Sequence, residues 1–348
     1  AFEEALAGRV GAKHAVACSS GTAALHLAAA ALDIGPDDKV IVPSMTFMAT
    51  ANAARYVGAE VVFADVDADS GLMREQDLTA ALEKNPDATA VFPVHMRGQR
   101  ADMNGISLLA RERGMKVVED ACHALGTTHT DGIVGDCADS DATVFSFHPV
   151  KTIAMGEGGA ITTNDADMAA RLKRLRSHAI HTKPRDEAPW FHEMAELGFN
   201  YRASDIHCAL GLSQLGKLDR FLDIRRRLVA VYDEALAGMA PILETTPRTS
   251  GENPGWHLYV VLIDFDALGM TRGAFMQQLK DRGIGSQVHY IPVHTQPYYR
   301  KRYGDVSLPG AEAYYARCLS LPLFTGMSEG DVERVADTLK LILSPETF

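Results

Sequence analysis

Short apolar segments alternate with amphipathic helical patterns along the first half of the chain. Each apolar segment is continuous rather than alternating in polarity, which is typical of strands buried on both faces of a mostly parallel sheet. These segments cover residues 15–18, 39–42, 61–66, 89–94, 115–119, 143–147 and 160–163. The pattern therefore predicts an α/β layer structure for this half.

The second half has a different pattern. A long charged amphipathic segment covers residues 209–237 and predicts a helix that bridges into a second domain. Strand-like segments return at residues 256–263 and 286–292. Because 348 residues exceed one ordinary domain, we predict a large α/β domain at residues 1–222 and a smaller C-terminal α+β domain at residues 223–348. The chain starts in a helical pattern without an initiator methionine or a signal peptide, so we expect it to begin within a longer protein.

Composition and charge narrow the class of protein. Hydrophobic residues make up 47% of the chain, yet no apolar run approaches the roughly 20 residues that span a bilayer, so we expect a soluble protein without a membrane partner. The formal net charge is −11 and basic residues form only short clusters such as residues 225–227, which argues against nucleic acid as a partner. The five cysteines lack a CxxC spacing, which indicates neither a disulfide framework nor a thiolate zinc site, and we expect a cytoplasmic location.

A glycine and several hydroxyl side chains follow the first predicted strand. Ser20, Gly21 and Thr22 lie where this strand turns into a predicted helix. Ligands of open parallel sheets bind beyond the carboxyl ends of the strands, and the free N–H groups of a helix N-terminus favour a phosphate dianion. The segment indicates a phosphate site, although a simple helix cap formed by Ser20 or Thr22 needs no ligand.

Asp120 closes the apolar strand VVED. A carboxylate at the end of a buried strand is costly unless it meets a cation or hydrogen-bond donors. A protonated pyridine nitrogen is such a partner, and this ion pair would keep the ring able to accept electrons. The alternative is that Asp120 or Glu119 only caps the next helix.

Lys151 lies in the segment SFHPVK, directly after a predicted buried strand and just before the glycine-rich segment GEGG. An amine in a desolvated pocket that also holds a phosphate loses its proton more readily and forms an imine with an aldehyde. An ordinary surface lysine is the alternative, and the apolar and glycine-rich surroundings argue against it.

Five segments that carry these residues occur in a fixed order: SSGTAAL, VPSMTF, VVEDACHALG, SFHPVK with GEGGAITTND, and LGFNYRASDIHCALGLSQL. Together they resemble the DegT/DnrJ/EryC1/StrS family of sugar aminotransferases, which depend on pyridoxal 5'-phosphate (PLP). The segment HYIPVHTQPYY in the C-terminal part also resembles the family. The resemblance implies an aspartate-aminotransferase-like fold (PLP fold type I) with a mostly parallel sheet in the large domain.

The resemblance also implies roles for individual residues. Lys151 would form the internal aldimine with PLP and later move protons at the carbon that is aminated. Asp120 would pair with the pyridine nitrogen. Asn200, within LGFNYR, would reach the cofactor phosphate of a neighbouring subunit, so the resemblance implies a homodimer with shared active sites.

Further cofactor contacts follow from the same motifs. Phe47 would stack on the cofactor ring, and His123 takes the place where the family has glutamine or histidine near an oxygen of the cofactor. A satisfied core histidine is the alternative for His123. The expected phosphate contacts are Ser20, Gly21, Thr22 and Ser146.

Candidate substrate contacts lie in two regions. His289, Tyr290 and His294 group near the end of a predicted strand, and the resemblance implies that this segment lines the sugar or nucleotide cleft. Arg176 and Arg202 are candidates for the substrate phosphates, with surface roles as the alternative. The two histidines lack a third ligand that the sequence identifies, so we predict no metal site.

The resemblance implies a reaction in two halves. Glutamate would give its amino group to the cofactor and leave as 2-oxoglutarate, with pyridoxamine 5'-phosphate as the intermediate. The amino group would then pass to the keto carbon of a sugar carried on a nucleotide, in aminosugar biosynthesis for cell-surface glycans or natural products. The motifs look most like the branch that aminates C4 of UDP-linked 4-keto-6-deoxyhexosamines.

Two other functions share this fold. In the related PLP-dependent sugar 3-dehydratases, histidine replaces the Schiff-base lysine, and Lys151 argues against that reaction. A non-catalytic regulator that binds the cofactor is the second alternative. The joint presence of Asp120, Ser146 and Lys151 argues against it.

Overall fold

The computed structural model describes residues 1–182 and 188–343. Its strands are β1 (His14–Cys18), β2 (Lys39–Pro43), β3 (Glu60–Ala64), β4 (Ala90–Val91), β5 (Lys116–Asp120), β6 (Thr128–His129), β7 (Gly132–Ile133), β8 (Ala142–Ser146), β9 (Gly159–Thr163), β10 (Ile180–Thr182), β11 (His192–Met194), β12 (Leu243–Thr245), β13 (Tyr259–Ile263) and β14 (Cys318–Leu321).

Helices connect these strands. The α-helices are α1 (Phe2–Val10), α2 (Gly21–Ala31), α3 (Ala49–Tyr56), α4 (Glu75–Lys84), α5 (Met103–Glu112), α6 (Ala166–Leu175), α7 (Asp205–Leu215), α8 (Leu218–Leu236), α9 (Arg272–Asp281), α10 (Pro297–Tyr303), α11 (Pro309–Arg317) and α12 (Glu329–Leu343). Short 3-10 turns occur at Met96–Gly98 and Val293–Thr295. Over the described ranges, no helix is both long enough and apolar enough to cross a bilayer.

The large sheet has the strand order β1-β9-β8-β5-β4-β2-β3. Neighbouring strands run parallel from β8 to β3, whereas β9 is antiparallel to both of its neighbours. The predicted α/β fold with a mostly parallel sheet is therefore confirmed. The predicted segment 89–94 is shorter as a strand, because only Ala90 and Val91 join the ladder and Val94 makes an isolated bridge to Asp120.

Both faces of the large sheet are buried, which explains why its strands are continuously apolar. In β1, Val16 packs into a hydrophobic cluster that includes residues of α2 and α6. The next residue, Ala17, points the other way and packs into a second cluster with Phe2 and Leu6 of α1. Successive side chains of a strand alternate between faces, so burial on both faces requires apolar residues throughout.

The C-terminal part contains a smaller antiparallel sheet, in the order β12-β13-β14. A third hydrophobic cluster joins β13 to α8, α9 and α12. Within α8, Leu222 packs into the cluster of α1, whereas Leu228 packs into this third cluster. The domain division between residues 222 and 223 stays a prediction that falls inside α8, and residues 344–348 of the predicted small domain lie outside the described residues.

Two predictions about elements in the second half need correction. The predicted segment 209–237 is not one helix, because α7 ends at Leu215 and α8 begins at Leu218. The segment 286–292 is not a strand, since Gln287 makes only an isolated bridge to Ser320. The segment then leaves the small sheet, and the Val293 N–H donates to the Ser44 carbonyl of the large domain at 2.9 Å.

Candidate active site

A cavity of about 280 Å³ lies beyond the carboxyl ends of β1, β5 and β8. Its polar wall contains Gly21, Asp120, Ser146 and Lys151. The remaining wall residues are Ser20, Thr22, Leu25, Thr46, Phe47, Ala49, Val94, Met96, Cys122, His123, His148, Val150, Glu157 and Tyr290. The parallel sheet thus gathers residues from distant parts of the sequence at one edge.

The turn from β1 into α2 has the shape expected of a phosphate site. The Ser20 hydroxyl caps α2 by accepting a hydrogen bond from the Ala23 N–H at 3.1 Å. Gly21 is the first residue of α2, and a Cβ there would lie 2.8 Å from Ser146 Cβ and 3.2 Å from Cys122 Sγ. Only glycine therefore keeps the helix N-terminus open toward Ser146, where the N–H groups and the helix dipole favour a dianion.

The Asp120 carboxylate is buried at the end of β5, with 6% of the residue exposed. It accepts hydrogen bonds from Thr50 Oγ1 at 2.7 Å and from the Cys122 N–H at 3.1 Å. Both donors are neutral, and the described part of the chain supplies no side-chain cation that forms an ion pair with Asp120. A buried carboxylate whose hydrogen-bond donors are all neutral is stabilised by an additional hydrogen bond from a cationic N–H.

Glu119 has a different role from its neighbour Asp120. Its carboxylate accepts hydrogen bonds from His95 Nε2 and Ser140 Oγ, both at 2.6 Å. Burial raises the pKa of Glu119, but the hydrogen bond and charge of His95 and the Ser140 hydroxyl outweigh burial and lower it to about 2. Glu119 is therefore a satisfied structural carboxylate behind the site.

Lys151 lies in the loop after β8, and its side chain lines the same cavity as Asp120. Its backbone N–H donates to the His148 carbonyl at 2.9 Å. Burial lowers the pKa of Lys151, whereas Cys122 and the Asp120 carboxylate oppose that shift. Because only the unprotonated amine is a nucleophile, a lowered pKa makes Lys151 more reactive near neutral pH.

His123, Tyr290 and Phe47 form the aromatic part of the cavity wall. His123 Nε2 and Tyr290 Oη lie 3.1 Å apart, and the ring centroids of Phe47 and Tyr290 are separated by 5.7 Å. Burial and the charge of Lys151 lower the pKa of His123 well below its usual value, so the imidazole is neutral. Phe47 is 49% exposed within the single chain, which leaves its ring available to a ligand.

Three residues predicted for the site lie outside the cavity of their own chain. Asn200 is exposed, and its backbone forms an isolated bridge with Ser177. Arg176 forms an ion pair with Glu3, and Arg202 Nη1 donates to Ser177 Oγ at 3.1 Å. Both arginines line a separate surface depression next to α1.

The two predicted histidines of the C-terminal segment are also absent from the cavity wall. His289 Nδ1 lies 2.7 Å from Ser320 Oγ, and burial lowers the pKa of His289 to about 4. His294 is buried, and its Nδ1 lies 2.5 Å from Ser44 Oγ. Within one chain, Tyr290 is therefore the member of this group that lines the cavity.

Sequence reasoning missed two residues that contribute to the site. Thr50 donates to Asp120 although it lies 70 residues earlier, inside a helix without any motif of its own. The ring centroid of His257 lies 4.5 Å from that of His123. Neither residue carries a local signal, because both reach the site only through packing of distant elements.

The polar features of the cavity fit PLP. The glycine-lined helix N-terminus with Ser146 suits the phosphate, and Asp120 suits a protonated ring nitrogen. Lys151 is the amine that can react with an aldehyde, and Phe47 offers a face for ring stacking. These four features lie in one cavity of a size suited to a small cofactor.

Comparison with known proteins agrees with this chemistry. Residues 1–340 match the model of the DegT/DnrJ/EryC1/StrS aminotransferase family. The chain belongs to this family. A relative, the spore coat polysaccharide biosynthesis protein SpsC of Bacillus subtilis (strain 168), is 40% identical over 349 residues, which cover 98% of this chain and 88% of SpsC.

Solved structures of sugar aminotransferases are similar along nearly the whole chain. The PLP form of the putative sugar aminotransferase Spr1654 from Streptococcus pneumoniae has a TM-score of 0.89 at 27% identity, covering 98% of this chain and 90% of that protein. DesI, solved in the presence of its TDP-sugar product, has a TM-score of 0.88 at 34% identity, covering 99% of this chain and 84% of DesI. The family assignment and the PLP-type fold predicted from the motifs are therefore confirmed.

Membership of the DegT/DnrJ/EryC1/StrS family makes this chain an enzyme, a PLP-dependent transaminase of aminosugar biosynthesis. The alternative of a non-catalytic cofactor-binding regulator is therefore rejected. Exclusion of the sugar 3-dehydratase reaction stays a prediction, because it rests on the resemblance that implies histidine in place of Lys151. The individual roles of the site residues stay predictions.

Gly21→Ala is expected to weaken PLP binding by about 10- to 100-fold, because the added methyl group overpacks against Ser146 and Cys122 and narrows the phosphate site. Titration of the apoprotein with PLP, followed by absorbance, measures the effect. Gly8→Ala is the matched control, since a Cβ at Gly8 meets nothing within 4 Å. Equal PLP affinity of the Gly21 variant and the wild type would contradict the assignment of the phosphate site.

Proposed function

We propose that this aminotransferase moves the amino group of glutamate to a keto carbon, C4, of a nucleotide-linked keto-deoxysugar. The observation that carries the proposal is the placement of Lys151 and Asp120 in one cavity with the open helix N-terminus at Gly21. Together these three features provide an amine, an anion for a ring nitrogen and a phosphate site. The amino donor, the nucleotide and the position on the sugar are parts of the proposal.

Each residue of the site has a separate role in the proposed reaction. When bound, PLP supplies an electron sink and a carbon that receives amines. Lys151 would hold the cofactor and then take a proton from the donor carbon and return one to the acceptor carbon. Asp120, fixed by Thr50, would keep the ring nitrogen protonated, and Ser146 with the N–H groups of α2 would anchor the phosphate.

The proposed acceptor rests on relatives and on motif resemblance. DesI was solved with a TDP-sugar product, and SpsC takes part in polysaccharide biosynthesis. These names support a nucleotide-linked sugar. The choice of UDP and of C4 comes from the likeness of HEMAELGFNYRASDIHCALGLSQL and SFHPVKTIAMGEGGAITTND to one branch of the family.

A second copy of the chain is proposed to complete the site. Trp190, Leu197 and Ile206 are 76%, 78% and 81% exposed, and they lie near Asn200 in the sequence. Such large exposed apolar side chains favour a protein partner. In the proposed homodimer, Asn200 would contact the cofactor phosphate of the partner, and Arg202, two residues later in the chain, is a candidate for the substrate phosphates.

Hybrid dimers test whether the site is shared. We expect Lys151→Ala and Asn200→Ala homodimers to be poorly active and a mixed dimer to regain about half of the wild-type activity per dimer, because one of its two sites then has both native residues. Differently tagged copies allow the hybrid to be purified and assayed. A hybrid as inactive as both parents, despite confirmed mixing, would place Asn200 in the site of its own chain.

A half-reaction assay tests the proposed donor. PLP-loaded protein mixed with glutamate in the absence of a sugar is expected to release one 2-oxoglutarate per active site and to lose the visible absorbance of the bound cofactor. Addition of UDP-, dTDP- and GDP-linked ketosugars one at a time should restore that absorbance for the true acceptor, and the position of the new amine follows from NMR of the product. Absence of both changes with glutamate, while another amino acid removes the visible absorbance and releases its own 2-oxo acid, would reject glutamate as donor.

A further inference from the structure

A hydrogen bond joins the two parts of the cavity wall that come from different halves of the chain. His123 follows β5, whereas Tyr290 belongs to the segment between the small sheet and the Val293–Thr295 turn. The two residues are 167 positions apart in the sequence, yet Tyr290 Oη lies 3.1 Å from His123 Nε2. Both side chains line the cavity that suits PLP.

The direction of this hydrogen bond follows from the chemistry of the two groups. A phenol is a better hydrogen-bond donor than a neutral imidazole, and an imidazole nitrogen is a better acceptor than a phenol oxygen. Burial raises the pKa of Tyr290, so its hydroxyl keeps the proton that it donates. His123 is neutral and carries one ring proton, and because Nε2 accepts, that proton is on Nδ1.

We propose that Tyr290 is a positioning residue that holds His123 in the tautomer protonated at Nδ1, so that this N–H donates to the phenolic oxygen of PLP. The identity of the acceptor rests on the proposed function, whereas the tautomer does not. His123 Nδ1 is buried and has no hydrogen-bond partner within the described residues. A buried N–H without an acceptor is costly, and an anionic oxygen of the cofactor removes that cost.

The surroundings of His123 explain why a tyrosine is needed to choose the tautomer. The ring of His257 lies 4.5 Å from that of His123, and the Nδ1 atom of His257 also lacks a partner in the described part of the chain. No hydrogen bond joins the two rings, so His257 does not select either nitrogen of His123. The Tyr290 hydroxyl is the contact that distinguishes Nε2 from Nδ1.

Nitrogen NMR tests the tautomer on the whole 348-residue chain. Histidine labelled with 15N only at Nδ1 reports whether this nitrogen carries a proton, and loss of one signal in His123→Gln identifies His123. We expect a protonated Nδ1 in the wild type and an unprotonated or mixed state in Tyr290→Phe, with Tyr298→Phe as an exposed matched control that changes nothing. An unprotonated Nδ1 in the wild type, or the same signal in wild type and Tyr290→Phe, would overturn the proposal.

The visible absorbance of bound PLP tests, independently of the NMR experiment, whether the phenolic oxygen is the acceptor of the His123 hydrogen bond. Loss of a donor makes the phenolic oxygen more basic, so Tyr290→Phe is expected to raise the titration midpoint of the visible band of bound PLP by about one pH unit. In a His123→Gln background, whose amide donates without help from Tyr290, the same substitution should leave the midpoint unchanged. An unchanged midpoint in the single variant overturns the assigned acceptor, whereas failure of the protein to bind PLP at all rejects the proposed function and leaves the tautomer result standing.

Discussion

Lys151→Ala is expected to lower kcat by at least about 10⁴-fold, because the variant loses the amine that holds the cofactor and transfers the proton at the reacting carbon. The cavity explains why no neighbour replaces it. Cys122 is the nearby nucleophile in the wall, and burial raises its pKa well above the usual value, so its thiol stays protonated. His123 is held by Tyr290 and is neutral.

The Lys151 variant is measured at saturating donor and acceptor, with PLP present in excess. Lys84→Ala is the matched control, since Lys84 is exposed at the end of α4, and we expect its kcat to equal that of the wild type. Reduction of the wild type with borohydride and peptide mapping should locate PLP on Lys151. Multiple turnovers by Lys151→Ala at more than a few per cent of the wild-type rate would assign the catalytic lysine elsewhere.

Asp120→Asn is expected to lower kcat by about 10³-fold, the effect typical of losing a preorganised electrostatic contact. The amide oxygen can still accept from the Cys122 N–H, and the Thr50 hydroxyl, which donates to the other carboxylate oxygen, can turn to accept from the amide NH2, so the local packing is kept. The negative charge that keeps the ring nitrogen protonated is lost, and with it the ability of the ring to accept electrons. The structure therefore separates the charge of Asp120 from its packing.

A cofactor analogue provides the decisive control for Asp120. N-methyl-PLP has a permanent positive charge on its ring nitrogen, so it should restore at least part of the lost rate in Asp120→Asn. Asp37→Asn, at an exposed position, is expected to behave as the wild type. If Asp120→Asn retains the wild-type kcat with PLP, the ring-nitrogen role of Asp120 is wrong.

The strand pattern of the large sheet was predictable because burial on both faces leaves a strong signal. Six strands begin and end within two residues of the predicted apolar segments: β1, β2, β3, β5, β8 and β9. The segment 286–292 misled the prediction because only Gln287 bridges to the small sheet, whereas Tyr290 lines the cavity and Ile291 is exposed. Hydrophobic pattern alone does not distinguish these two environments.

The division of roles between Glu119 and Asp120 depends on tertiary structure. Both carboxylates end the same apolar strand, and the sequence left open which of them caps a helix. In the structure, Glu119 meets His95 and Ser140, whereas Asp120 lines the cavity with Thr50 as its donor. Partners that lie 20 to 70 residues away decide the roles, because side chains at successive strand positions face different elements.

Some predictions concern properties that the structure of a single chain does not test. The homodimer, the contribution of Asn200 in trans and the cytoplasmic location stay predictions, and the hybrid-dimer experiment addresses the first two. Arg176 now has a structural partner in Glu3, which favours a role in holding α1 against β1 over a substrate contact in its own chain.

By itself, the sequence determined the α/β fold, the family and the reaction class. Motifs such as SSGTAAL and SFHPVK place a glycine or lysine directly after a strand, and the chemistry of that position depends on local backbone geometry. The tertiary structure decided the contact of Thr50 with Asp120 and that of Tyr290 with His123. These contacts join segments that are distant in sequence, so only the packing of α3 and of the segment around Tyr290 against the large domain brings their side chains together.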